Sequence, residues 1–307
     1  IISWQFAKRV PVPAVGMTWH ESFKEAGSMV KLGVAMMWTG LAGSLVSYAT
    51  VTIITNQYDL HAVGIYTAAF ALSGIFVNFV LNAMGADYYP RISGLAGDAP
   101  AMNTLINQQI EVGLLIATPG LLLMIVCAPW LIEIFYTQEF GDAYKLLQWF
   151  LLGCFGRVVG FPFGYALMAD KKTGLFFLTQ TVAHGLHVLL IWLGLILLGL
   201  EGVSVAFATL YIVAVTMNYV IARHIRGFLF SRSVVLLLLN LIFVLFGVFV
   251  LQRYVDIRIA QTVGLLIGLL LTIISFRNVV RLVGDDNPLI RGLLKLPGVS
   301  LLAGLKS

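Results

Sequence analysis

"GADYYPRISGLAGD" (residues 85–98) follows more than twenty mostly apolar residues and packs two Asp, an Arg, a Pro and two adjacent Tyr into fourteen positions. Aromatic hydroxyls concentrate at membrane–water boundaries, Lys and Arg collect on the cytoplasmic side, and Pro removes a helix hydrogen bond. The stretch therefore reads as the cytoplasmic end of a spanning helix. Tyr88 and Tyr89 are expected at the interface, Pro90 as the helix stop and Arg91 on the positive side.

The rest of the chain fits that reading. Hydrophobic residues make up 60% of the 307, charged residues 11%, and the mean hydropathy is +0.95. Soluble domains carry about 45–50% apolar and about 25% charged residues, so lipid must be the solvent here. A spanning helix needs about 20 apolar residues. Eight such stretches are present, over 35–55, 62–85, 109–130, 146–168, 174–200, 203–222, 234–252 and 259–276. Eight spans put both ends on one side. Fifteen of the 19 Lys and Arg fall on that side, three (Lys145, Arg253 and Arg258) on the other, and Arg157 inside a span. The bias predicts cytoplasmic ends. The net charge of +5 then answers anionic lipid rather than nucleic acid. Cys127 and Cys154 lie in apolar runs and form no CxxC pair, so they read as small buried hydrophobes.

At the start, "IISWQFAKRV" has neither a basic n-region nor a cleavage site and reads as the tail of a membrane helix, which suggests a piece of a longer protein. Residues 1–34 read as a cytoplasmic linker. Its segment 18–31 is amphipathic, with Trp19, Phe23, Ala26 and Met29 at helical spacing, and is expected to lie along the membrane surface. Residues 277–307 read as a cytoplasmic tail.

Ionisable groups inside a membrane are costly and are functional candidates. Arg157 is the one deep charge, about eleven residues or about 17 Å into its span. It is flanked by Gly153, Gly156, Gly160 and Pro162, which allow close packing, a kink or a locally opened helix. It either meets an anionic substrate group or is satisfied by carbonyls and amides of neighbouring helices. No Asp or Glu lies in a span interior, and the nearest, Glu111, sits at interfacial depth. A cavity here is neutral or positive, which disfavours cationic drugs as cargo. Asn78 and Asn82 share a helix face and either bind sugar hydroxyls or join helices. Gln180, His184 and His187 also share a face, as a cavity wall or packing seam. The two histidines lack a third metal ligand of convincing spacing. Glu133, Glu139 and Asp142 form a solvated acidic loop on the other side. No HExxH, GxSxG, P-loop or diphosphate-facing DDxxD pair is found, and "GDDNP" (284–288) lacks a second acidic cluster. No enzyme activity, metal or cofactor is expected.

At "MGADYYPRISGLAGD" the chain resembles bacterial O-antigen and polysaccharide flippases of the multidrug/oligosaccharidyl-lipid/polysaccharide exporter superfamily. "ADKKTG" (169–174) resembles the basic turn after the tenth helix of that family. The resemblance implies an all-α membrane protein with a MATE-like C-terminal bundle of six helices (35–222) and two additional helices (223–276). It implies flipping of a polyprenyl-diphosphate-linked O-antigen unit across the bacterial inner membrane by alternating access. The implied partners are that lipid-linked oligosaccharide, membrane lipids, an N-terminal half of the same protein and polysaccharide polymerase machinery. Arg157, Asn78, Asn82, Gln180 and His184 would then meet substrate, and Asp87, Tyr88, Tyr89 and Arg91 would shape a cytoplasmic gate. Another cargo of the same superfamily, a glycan polymerase or ligase, and a non-transporting scaffold stay open as alternatives. The short loop at 131–145 counts against the enzyme.

Overall fold

A computed structural model describes residues 18–283, and all of the regular structure described is helical. The elements are α1 (Trp19–Gln57), α2 (Leu60–Ser93), α3 (Ala99–Phe135), α4 (Ala143–Ala169), α5 (Thr173–Leu198), α6 (Glu201–Arg226), α7 (Arg232–Tyr254) and α8 (Ile257–Val283), with a single 3-10 turn at Gln138–Phe140. Seven of the eight expected spans lie within one of these helices, and the fifth, 174–200, overruns the end of α5 by two residues; all eight helices are long and apolar enough to cross a membrane.

Short polar turns set the helix starts. Asp59, Asp98 and Ser231 accept hydrogen bonds from the Ala62, Ala101 and Val234 amides at 2.8, 3.0 and 3.2 Å. These bonds satisfy amides that the first helical turn leaves orphaned. At α1, Thr18 and Glu21 form a capping box. Hydrogen bonds from the backbone and hydroxyl of Thr18 hold the Glu21 carboxyl below its ordinary range.

Helix α4 is the centre of the bundle. It packs along α6, α3 and α2, while α5 lies between α6 and α1, and α7 and α8 lean on α3. Phe70 of α2, Phe150 of α4 and Phe207 of α6 meet edge to face, with ring centroids 5.4, 5.3 and 6.0 Å apart. The α5–α6 hairpin closes backbone to backbone at Gly194 and Gly202, where a Cβ on either residue would collide with the other's carbonyl. Such approach is how helices associate in a medium as apolar as their own side chains.

The connector from α6 to α7 is strapped down. Asn103 Nδ2 donates to the Arg226 carbonyl at 3.1 Å, and Asn107 Nδ2 to the Leu229 carbonyl at 3.1 Å. The Ser231 amide donates back to Asn107 Oδ1 at 2.8 Å. Gly227 takes a left-handed φ of 66° at the α6 C-cap. Phe228 is fully buried beside Phe163, Tyr219 and Phe230. Beneath it Arg226 Nε meets Asp170 at 2.9 Å, with side chains only 4% and 13% exposed. At the opposite end Arg253 joins α7 to Glu201 of α6 at 3.0 Å and donates to the Lys145 carbonyl of α4 at 3.2 Å.

Three sequence expectations are corrected. The amphipathic segment from residue 18 is no separate surface helix, because α1 runs unbroken from Trp19 to Gln57. Pro90 does not stop α2, which continues to Ser93 and caps on Gly94. A proline four residues from a helix end leaves one carbonyl without its amide, a small loss at a wet terminus. Tyr88 is no interfacial aromatic either, for it is fully buried. The linker before residue 18, "GDDNP" and the tail beyond residue 283 lie outside the described residues.

Removing one partner of the Asp170–Arg226 pair strands a buried charge. Asp170→Leu or Arg226→Met alone is expected to cost about 3–5 kcal/mol, with the double substitution recovering much of it. Thermal unfolding of the detergent-solubilised protein checks this.

Candidate functional site

Arg157 is the fifteenth of the 27 residues of α4, about 21 Å from its start, and therefore at mid-bilayer depth. It is half-buried and makes no hydrogen bond or ion pair among the described residues. Its direction follows from its neighbours. Gly153 and Gly156 face α6, where a Cβ would press on Phe207 and on Tyr211 Cβ at 2.5 and 2.9 Å. Cys154 faces α2, its Sγ 3.7 Å from the Ser73 carbonyl, and Phe161 and Tyr165 face Gly85 of α2. At 100° per residue, Arg157 projects between these two faces, into the groove separating α2 from α6. Its charge reaches Tyr211 and Cys154. The glycines thus serve close packing, and α4 stays helical through Pro162.

Asn78 and Asn82 lie exposed on α2, one turn apart, and neither hydrogen-bonds among the described residues. The α3-facing side of α2 carries Phe76 and Met84, which press against Gly120 and Gly113. The two asparagines occupy the other side, so they and Arg157 open on the same side of the α2–α4 pair, away from α3.

The α5 residues sit differently. His184 lies against Gly43 of α1, and its Nε2 is buried without a partner. His187 packs on Phe207 at 6.0 Å, and Phe207 packs on Tyr211 at 4.9 Å. A ladder of rings therefore links His187 to the surroundings of Arg157. Gln180 is half-buried one turn below His184. No cluster of three or more metal-ligating side chains is present among the described residues. Cys154 is buried and Cys127 half-buried, and both are free.

The cytoplasmic-gate candidates divide. Asp87 and Arg91 form an exposed pair at 2.9 Å, one turn apart. Tyr89 is half-buried, its ring 5.6 Å from Tyr165. Tyr88 points inward instead, donating its hydroxyl to the Pro162 carbonyl at 3.3 Å between Phe161 and Tyr165. It fastens α2 to α4 and leaves the rim to the other three. Glu111 accepts a hydrogen bond from Ser233 in the first turn of α7 at 3.2 Å, consistent with interfacial depth. The sequence reading passed over Tyr211, although a phenol midway along α6 is a legible signal of a polar interior.

Residues 2–145 match the family model described as polysaccharide biosynthesis protein. That match ends twelve residues before Arg157, so the placement of Arg157 rests on geometry. No curated protein matches the chain. Among solved structures the fold is similar to "Lipid II flippase MurJ, inward closed conformation", with TM-score 0.59 and 17% identity over 90% of this chain and 58% of that one. It is also similar to the "outward-facing conformation of a multidrug resistance MATE family transporter of the MOP superfamily", with TM-score 0.56 and 14% identity over 90% of this chain and 76% of that one. The chain thus spans about three fifths of the length of the lipid II flippase it matches. The expected superfamily resemblance and the all-helical MATE-like fold are borne out.

Two substitutions test the packing. Gly156→Leu should force Tyr211 aside and destabilise by about 1–3 kcal/mol through overpacking. Asp87→Asn should change stability by less than about 0.5 kcal/mol, as exposed one-turn pairs do. Thermal unfolding of both variants distinguishes the two magnitudes.

Proposed function

We propose that this chain forms the C-terminal bundle of a flippase that carries a polyprenyl-diphosphate-linked saccharide, an O-antigen or related polysaccharide unit, from the cytoplasmic to the periplasmic leaflet of the bacterial inner membrane. One observation carries the reading. Arg157 stands unpaired at mid-bilayer depth in a groove, in a bundle with no carboxylate near that depth among the described residues. A cation at mid-bilayer depth without a counter-ion is expensive, and an anionic cargo supplies the missing charge. The diphosphate is the part of such a lipid that the hydrocarbon core excludes most strongly, and a guanidinium fits its oxygens bidentately.

The other residues take supporting parts. Asn78 and Asn82 offer amides to sugar hydroxyls on the same side of α2 and α4. Gln180 and His184 form the wall towards α1. The isoprenoid tail stays in lipid while the head passes through the groove. Exposed apolar residues along α1, including Met37, Leu41, Leu45 and Tyr48, face outward from this bundle and suit packing against a second one. Rocking of the two bundles would expose Arg157 to each side in turn. Asp87, Tyr89 and Arg91 would shape the cytoplasmic rim. The family match to polysaccharide biosynthesis proteins and the fold shared with a lipid II flippase support the same class of cargo.

Replacing Arg157 in cells lacking their own O-antigen flippase tests the reading. At equal membrane insertion, Arg157→Ala should lower surface polysaccharide by about tenfold or more, the worth of a charge-assisted hydrogen bond. Arg157→Lys should keep part of the display, since charge survives and bidentate geometry does not. Wild-type display from both variants would remove Arg157 from the path.

A further inference from the structure

We propose that the cleft between α7 and the α4–α6 pair is a binding site for one phospholipid with a zwitterionic ethanolamine headgroup, seated in the leaflet opposite the basic end. Two adjoining cavities make this cleft. One, of about 370 Å³, is almost wholly apolar and runs between α4, α6 and α7 past Leu152, Val159, Ile212 and Ile242. The other, of about 610 Å³, opens at the helix ends and is lined by Asp142, Lys145, Glu201 and Arg253. Trp149 and Phe246 line both, so the apolar channel leads into the charged mouth.

The charges fit a zwitterion. Lys145 Nζ lies 2.9 Å from Asp142, and Arg253 lies 3.0 Å from Glu201. The mouth therefore offers two cations and two anions at the depth where a lipid carries a phosphate beside an ammonium. Arg253 Nε is buried and has no partner among the described residues. A phosphate would take donors from Lys145 and Arg253, and a primary ammonium would donate to Glu201 and Asp142. A headgroup with net negative charge leaves the two carboxylates opposed, and a quaternary ammonium has no N–H to give them.

The length fits as well. From Lys145 to Val159 is fourteen residues, about 21 Å of α4, somewhat more than the roughly 15 Å of one hydrocarbon leaflet. That takes a chain from the headgroup boundary to the bilayer middle, as a phospholipid needs. The cleft is also separate from the groove of Arg157. Its α4 lining centres roughly 135° of helix rotation away from Arg157, with the Gly156–Tyr211 contact between them. The proposal does not depend on what the protein transports.

Native mass spectrometry of the delipidated protein in detergent tests this with phosphatidylethanolamine, phosphatidylglycerol and phosphatidylcholine of identical palmitoyl-oleoyl chains. One phosphatidylethanolamine should bind about tenfold more tightly than either other lipid. Lys145→Gln removes a headgroup donor. Ile242→Trp fills the channel from a position that is already 48% exposed and so spares the fold. Each should weaken phosphatidylethanolamine binding by about tenfold at unchanged thermal unfolding. Equal binding of the three lipids, tighter binding of phosphatidylglycerol, or binding unaffected by Ile242→Trp overturns the proposal.

Discussion

The hydrocarbon interior offers no hydrogen-bond partner, and this constraint shapes every other feature of the molecule. Backbone polar groups must be satisfied within each segment, so the chain is helical wherever it crosses. Threonine and serine hydroxyls along the spans bond back to their own helix, as Thr50 does to the Val46 carbonyl at 2.7 Å and Thr209 to the Val205 carbonyl at 2.9 Å. Because lipid is as apolar as leucine, burial alone does not hold the helices together. Close approach does, at Gly153 and Gly156 against α6, at Gly194 against Gly202, and at Gly264 and Gly268 of α8 against Val126 and Leu123 of α3.

The same constraint governs the charges. Asp87–Arg91, Asp142–Lys145, Asp170–Arg226 and Glu201–Arg253 all sit near helix ends and are paired within 3.0 Å. The two that join different helices hold tertiary structure. Asp170–Arg226 locks the α4–α5 turn to the end of α6, and Glu201–Arg253 locks α7 to the start of α6. Against that pattern Arg157 stands apart, midway along the central helix and unpaired among the described residues.

The two additional helices are firmly built into the bundle. Asn103 and Asn107, one turn apart on α3, hold the connector at residues 227–231, and the aromatic knot around Phe228 fills the space beneath it. Helix α8 then lies on α3 through its glycines, while α7 stands off from α6 and leaves the cleft described above.

Much of this was legible in the sequence. Hydropathy over windows of about twenty residues placed all eight spans, the Lys and Arg distribution set an expected orientation, and the depth of Arg157 followed from counting along its span. Those quantities are one-dimensional, and lipid imposes them directly. Facing is another matter. In water an amphipathic pattern tells the buried side of a helix from the exposed one, but here core and lipid are equally apolar and the pattern fades. Only the packed structure could turn Tyr88 inward to the Pro162 carbonyl, carry α2 past Pro90, and aim His184 at α1 and His187 at α6. Packing alone, too, set Arg157 on the same side as Asn78 and Asn82 and brought Asp170 to Arg226 across 56 residues of chain.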